Sequence, residues 1–200
     1  MQGVVLADDP QGGDCPYCPM GVPDATVVEL TGASAHKVIA QALSDSDVKV
    51  LRLALIDAGN TPRVDQARAF HAQWEDTEGK HQALLAVIPF ESNAIAAAIH
   101  YAKVDGKKQA IAVAIVDSTY SWLYSVKDGK ATYKVVNNPC TFECIANCLM
   151  SFGCNPLSLT ACITACVACY AGVLPSCFLC GFCFGYCGGA FGICVGMCCA

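Results

Sequence analysis

Fourteen of the sixteen cysteines lie between Cys140 and Ala200, a stretch whose only charged side chain is Glu143. A dense, even set of cysteines reads in an oxidising compartment as a disulfide framework, and in a reducing one as a metal site. The missing charge constrains the fold as strongly. A small domain facing water on all sides needs charged side chains on its surface, and this tail has one. Its partner is therefore either the rest of the chain or a lipid bilayer.

Composition divides the chain into three parts: an N-terminal segment 1–23, an ordinary globular stretch 24–137, and the cysteine-rich tail 138–200, with the seam at Asn137-Asn138-Pro139. Of 17 acids and 12 bases, all but Glu143 precede the seam. The front part is mildly acidic and has no basic stripe to neutralise phosphates, which argues against nucleic acid as a partner. At the N-terminus, Gly3-Val4-Val5-Leu6-Ala7 before Asp8-Asp9-Pro10 has the look of the end of a secretory signal region, with a V-x-A site after Ala7. A secreted or cell-envelope location is the corresponding expectation.

The front part is expected to be an α+β domain of two helices and an antiparallel β-meander. Thr31 or Ser34 can cap a helix over Ala35–Leu43, and a second runs from Val48 to Ala58 with Gly59 as its C′ residue. After Pro62 the apolar period changes to two. Strands are expected at Ala67–Trp74, Ala83–Phe90, Ala96–Val104, Ala110–Asp117, Tyr120–Val126 and Ala131–Val136. Glu78-Gly79, Asp105-Gly106 and Asp128-Gly129 supply the turns, the Asp-Gly pairs favouring tight hairpins. The helices would cover one sheet face, leaving the other open to the tail. His36, His71, His81 and His100 form no i, i+4 pair and have no cysteine nearby, so they read as ordinary surface or half-buried histidines. No nucleophile–base couple, phosphate loop or G-x-S-x-G stands out, so this part is expected to be a binding module rather than an enzyme.

Two cysteine patterns invite other chemistry. Cys15-Pro16-Tyr17-Cys18 has the letters of a glutaredoxin active site, but Pro19 and Pro23 interrupt the helix such a site requires, and a disulfide is the better reading. Cys177, Cys180, Cys183 and Cys187 follow the C-x₂-C-x₂-C-x₃-C spacing of iron–sulfur ligands, so an electron-transfer protein is an alternative. Against it stand Gly188 where proline is usual and the crowding aromatics Phe178, Phe182, Phe184 and Tyr186. No metal or other cofactor is expected on the favoured reading.

The remaining spacing is helical. Cys140, Cys144 and Cys148, then Cys162, Cys166 and Cys169, then Cys194 and Cys198 each share one side of a helix, where a neighbour can meet them at disulfide distance. Cys154 and Cys199 complete the disulfide set. Asn138-Pro139 and Asn155-Pro156 read as N-cap followed by proline at N1, and Pro175 can open a further helix. The tail is thus expected to be a small all-α bundle stapled by its cysteines. Gly181, Gly185 and Gly189, with Gly188, Gly192 and Gly196, form four-residue rows that let helices approach closely, as in membrane helix pairs. Ser176 to Ala200 is long enough to span a bilayer if helical throughout.

The layout resembles halocin-like cysteine-rich bacteriocin precursors. The resemblance runs from about Glu29 to Ala200 and is carried by Asn138-Pro139-Cys140-x₃-Cys144-x₃-Cys148 and by Cys183-x₃-Cys187-Gly188-Gly189. It implies a secreted antimicrobial precursor, cleaved near the seam, whose released peptide acts on the target-cell membrane. The N-terminal domain would serve as leader or immunity partner by masking the tail. A structural protein anchored to the envelope by its tail is the third reading.

Overall fold

The computed structural model describes residues 25–77, 79–91, 96–116, 120–137, 144–145, 147–148, 156–170, 173, 175–177 and 179–180. Strand β1 (Ala25–Leu30) leads into helices α1 (Gly32–Ser44) and α2 (Ser46–Asp57). The short β2 (Thr61–Pro62) and a 3₁₀ turn follow, then β3 (Arg68–Asp76), β4 (Gly79–Glu91), β5 (Ala96–Val104), β6 (Lys107–Ile115), β7 (Tyr120–Lys127) and β8 (Lys130–Asn137). In the tail, α3 runs from Pro156 to Tyr170.

All strands join one antiparallel sheet in the order β1-β3-β4-β5-β6-β7-β8, with β2 pairing the end of β4. From β3 onward each long strand pairs with its successor. At the two Asp-Gly turns both central residues have positive φ: Asp105 at 46° and Gly106 at 86°, Asp128 at 52° and Gly129 at 72°. That is the backbone of a two-residue turn matched to strand twist, and glycine adopts it without the Cβ penalty. The β7–β8 hairpin is further pinned by Tyr124 facing Tyr133, their rings 5.6 Å apart.

The balance differs from the expected α+β layering. The described fold is mainly β, an eight-stranded sheet with a few helices packed on it. Strand β1 was not anticipated. It is held beside β3 by register pairs from Ala25↔Trp74 to Leu30↔Ala69 and by Glu29, whose carboxylate accepts two bonds from Arg68 at 2.6 and 2.7 Å.

Helix α1 follows Thr31, which occupies the N-cap position in extended conformation without a side-chain cap bond. Helix α2 is capped by Asp45, whose Oδ1 accepts from the Asp47 and Val48 N–H groups at 3.0 and 3.5 Å. At the other end Gly59 has φ +86°, the left-handed turn expected of a C′ glycine. Asp45 also meets Lys108 of β6 at 3.3 Å, tying the α1–α2 corner to the sheet. Asp45→Ala is therefore expected to cost about 1 kcal/mol, most of it from the lost cap. Asp45→Asn keeps a capping acceptor and should recover most of the loss, because the ion pair is partly exposed. Thermal unfolding of the two variants side by side reads the difference, and equal losses would assign the effect to the ion pair instead.

Alternation along the strands divides the core in two. Ala86, Ile88 and Phe90 of β4, Ala97, Ile99 and Tyr101 of β5, and Ala112 and Ala114 of β6 pack under α1 and α2 with Val38, Ala42, Leu51 and Leu55. The intervening residues point the other way, yet they too are buried: Ala96–Ala102 of β5 is buried without a break. A sheet with one wet face would alternate buried and exposed positions, so this continuous run means that both faces are covered. The second cover is the tail.

Candidate functional site: the sheet face that holds the tail

The second face is built from Phe70, Ala72 and Trp74 of β3, Ala83, Leu85 and Val87 of β4, and Ala98 and Ala102 of β5, with Val27 of β1. Ala161 and Ala165 of α3 and Leu179 beyond it belong to the same cluster. Helix α3 lies across β4, β5 and β6. Small residues meet on both sides of the seam: Ala98 in the sheet is fully covered, as is Ala165 in the helix. Side chains of this size let helix and strands pack closely.

The helix carries no charged residue and is mostly apolar. From Ala161 to Cys169 each residue is buried except Cys166, which is half-buried. A helix of that kind belongs in a protein core or in a membrane, and here the described part is buried in protein. Among the described residues, no helix is long and apolar enough to cross a membrane.

Disulfides fix the end of the tail's described region. Cys166 pairs with Cys180 and Cys169 with Cys177, at Cα separations of 4.7 and 4.5 Å. Cys166 and Cys169 lie about one turn apart, so the helical spacing of the sequence does place two sulfurs on the side that meets a neighbouring segment. Residues 175–177 and 179–180 are helical and begin at Pro175, as the sequence suggests. Cys144, Cys148 and Cys162 are also disulfide-bonded. Cys177 and Cys180, two of the four cysteines with iron–sulfur spacing, thus have their sulfurs in disulfides and offer no thiolate to a metal in this state. Disulfides persist in oxidising compartments, so the bridged tail is compatible with an extracellular or envelope location.

The remaining predicted positions lie outside the described residues: Cys15 and Cys18, Cys140, Cys154, Cys183, Cys187, Cys194, Cys198 and Cys199, and the glycines 181, 185, 188, 189, 192 and 196. Of the all-α bundle, α3 and the short helical pieces are what the structure describes.

One histidine is buried in the seam rather than at the surface. His36 is exposed and His71 and His81 are half-buried, His81 pairing through Nδ1 with Asp105 at 2.6 Å, but His100 is buried at 5 % exposure. Its Nε2 lies 2.9 Å from the hydroxyl of Thr164, which is fully buried on α3. The Thr164 hydroxyl donates its proton to the Ala161 carbonyl at 3.2 Å. Its oxygen therefore accepts from His100, which fixes the neutral imidazole as the Nε2–H tautomer. Nδ1 is buried and has no hydrogen-bond partner among the described residues. Burial pushes the imidazole down to about 4. The signal was present in the sequence: a single histidine inside Ala96–Ala102, a run too uniformly apolar to have a wet face. Compared with protein families, with curated proteins and with solved structures, the chain shows no match.

Proposed function

We propose that the chain is a secreted, bacteriocin-like precursor in which the sheet masks a membrane-active, disulfide-bridged peptide until the two are separated. The observation that carries the reading is an apolar sheet face covered by a tail helix buried from Ala161 to Ala165, with Ala161, Ala165, Leu85 and Ala98 in one cluster. An apolar segment kept in water must be covered, and a cover built into the same chain serves a peptide meant for another surface. The role is non-enzymatic: the front domain binds and shields. Once freed, the tail inserts by its apolar area, at roughly 25 cal/mol per Å² transferred. With Glu143 as its only charge it should act on neutral lipid as readily as on anionic lipid.

The test is a protease site introduced at the seam of the full oxidised chain, between Asn137 and Asn138. Before cleavage, dye-filled vesicles of neutral lipid should stay intact. After cleavage and separation of the fragments they should leak, and restoring the front fragment should suppress the leakage. Vesicles that remain intact with the separated, oxidised tail would remove the antimicrobial reading and favour envelope anchoring.

A further inference from the structure

We infer that His100 is an acid-sensitive latch between sheet and tail: protonation at Nδ1 releases α3 from the face formed by β4, β5 and β6. The bond from His100 to Thr164 is a buried polar link across an otherwise apolar seam, and its geometry already spends the Nε2–H. An added proton must go to Nδ1, which is buried and has no partner among the described residues. The side chains lining the pocket beside the ring include Leu85 from β4, Gln109 and Ile111 from β6, and Ser176 and Leu179 from the segment after α3. None of these is charged, and none titrates in the acid range. Thr164, facing from α3, is equally neutral. An imidazolium formed in the docked state would therefore sit in an apolar layer with no compensating charge among the described residues around it. With the tail released, the same ring reaches water and titrates normally.

The direction follows from linkage. The docked state holds the midpoint at about 4 against 6.5 for a free histidine. Docking is therefore at full strength above pH 6.5, weakens as pH falls toward 4, and levels off below that. The total loss is roughly 300-fold in the docking equilibrium, of which about 30-fold is reached by pH 5. Much of the effect thus appears before ordinary carboxylates take up their protons.

The latch regulates the masking proposed above, but its test needs no membrane, so the two readings fail separately. In the full oxidised chain, amide exchange protection of residues 161–169, corrected for the intrinsic pH dependence of exchange, should fall about 20-fold between pH 7 and pH 5. Protection in the β-sheet core should hold. His100→Asn, which keeps a donor for Thr164 and cannot titrate, should make tail protection flat over that range. In the unsubstituted chain, imidazole NMR should show the Nε2–H tautomer at pH 7 and a His100 midpoint near 4, a reading independent of how the variant folds. Constant tail protection from pH 7 to 5, an acid loss that persists in a folded His100→Asn chain, or a His100 midpoint near 6.5 would each overturn the latch.

Discussion

Ala165→Arg is expected to expel the tail from the sheet while leaving the front domain folded. Ala165 is fully buried in the seam, and an arginine there would place a cation in the apolar cluster of Leu85, Val87 and Ala98, which contains no acid. Leaving a buried charge uncompensated costs about 3–5 kcal/mol, more than a seam of small side chains can absorb by shifting. The packing under α1 and α2 does not include this position, so the core around Leu51, Ile88 and Ile99 should survive. Limited trypsin digestion reads both outcomes: a resistant fragment covering the sheet, and a tail cut at the new site. Trp74, which is buried beside the seam, should shift its emission to the red. As a control, Leu53→Arg on the exposed flank of α2 should change neither signal. A digestion pattern identical to that of the parent chain would mean that the seam is not what holds the tail.

The second large effect concerns the bridges. Serine at Cys166 and Cys180 opens a disulfide of sequence separation 14, and serine at Cys169 and Cys177 opens one of separation 8. By the chain-entropy argument the first contributes about 3 kcal/mol, and the second a few tenths less. Both bridges hold the turn that carries Leu179, which packs into the sheet cluster, so their loss also removes apolar cover from Leu85. Urea unfolding followed at Trp74 should show a lower midpoint for either double variant. With both pairs replaced, the tail signal should separate from the sheet signal, because the two described bridges between α3 and the segment at 177–180 are then gone. A single coincident transition in that fourfold variant would show that these two bridges are not what couples tail to sheet.

The hairpins were the most legible part of the fold. Strand β5 has the expected bounds, Ala96–Val104, and the Asp-Gly turns adopt the positive-φ geometry that their composition demands. Local chemistry is sufficient there, since a two-residue turn fixes the register of the strands it joins. The first strand was not legible. Ala25–Leu30 has little alternation, and its pairing with β3 spans two intervening helices, so what makes it a strand is a neighbour some forty residues away. The site was half legible. The charge depletion of the tail called for a cover, and the spacing of Cys166 and Cys169 called for a neighbouring segment, and both are found. The actual bridge partners depend on how the chain turns at 173–175, which spacing does not determine. The burial of His100 is not legible from its sequence neighbours, because its hydrogen-bond partner Thr164 is 64 residues away, across the seam.

The order of the strands sets a timetable. From β3 to β8 each strand pairs with the one made just before it, and the helices that cover the opposite face precede them all. Contacts of that kind form early, because little chain must be closed into a loop before they are rewarded. Synthesis proceeds from the N-terminus at about 5–20 residues per second. The receiving surface at Leu85, Val87 and Ala98 can thus be assembled before α3 has left the ribosome. The apolar helix α3 then emerges after the surface that receives it, into a berth that the strands before it have already prepared.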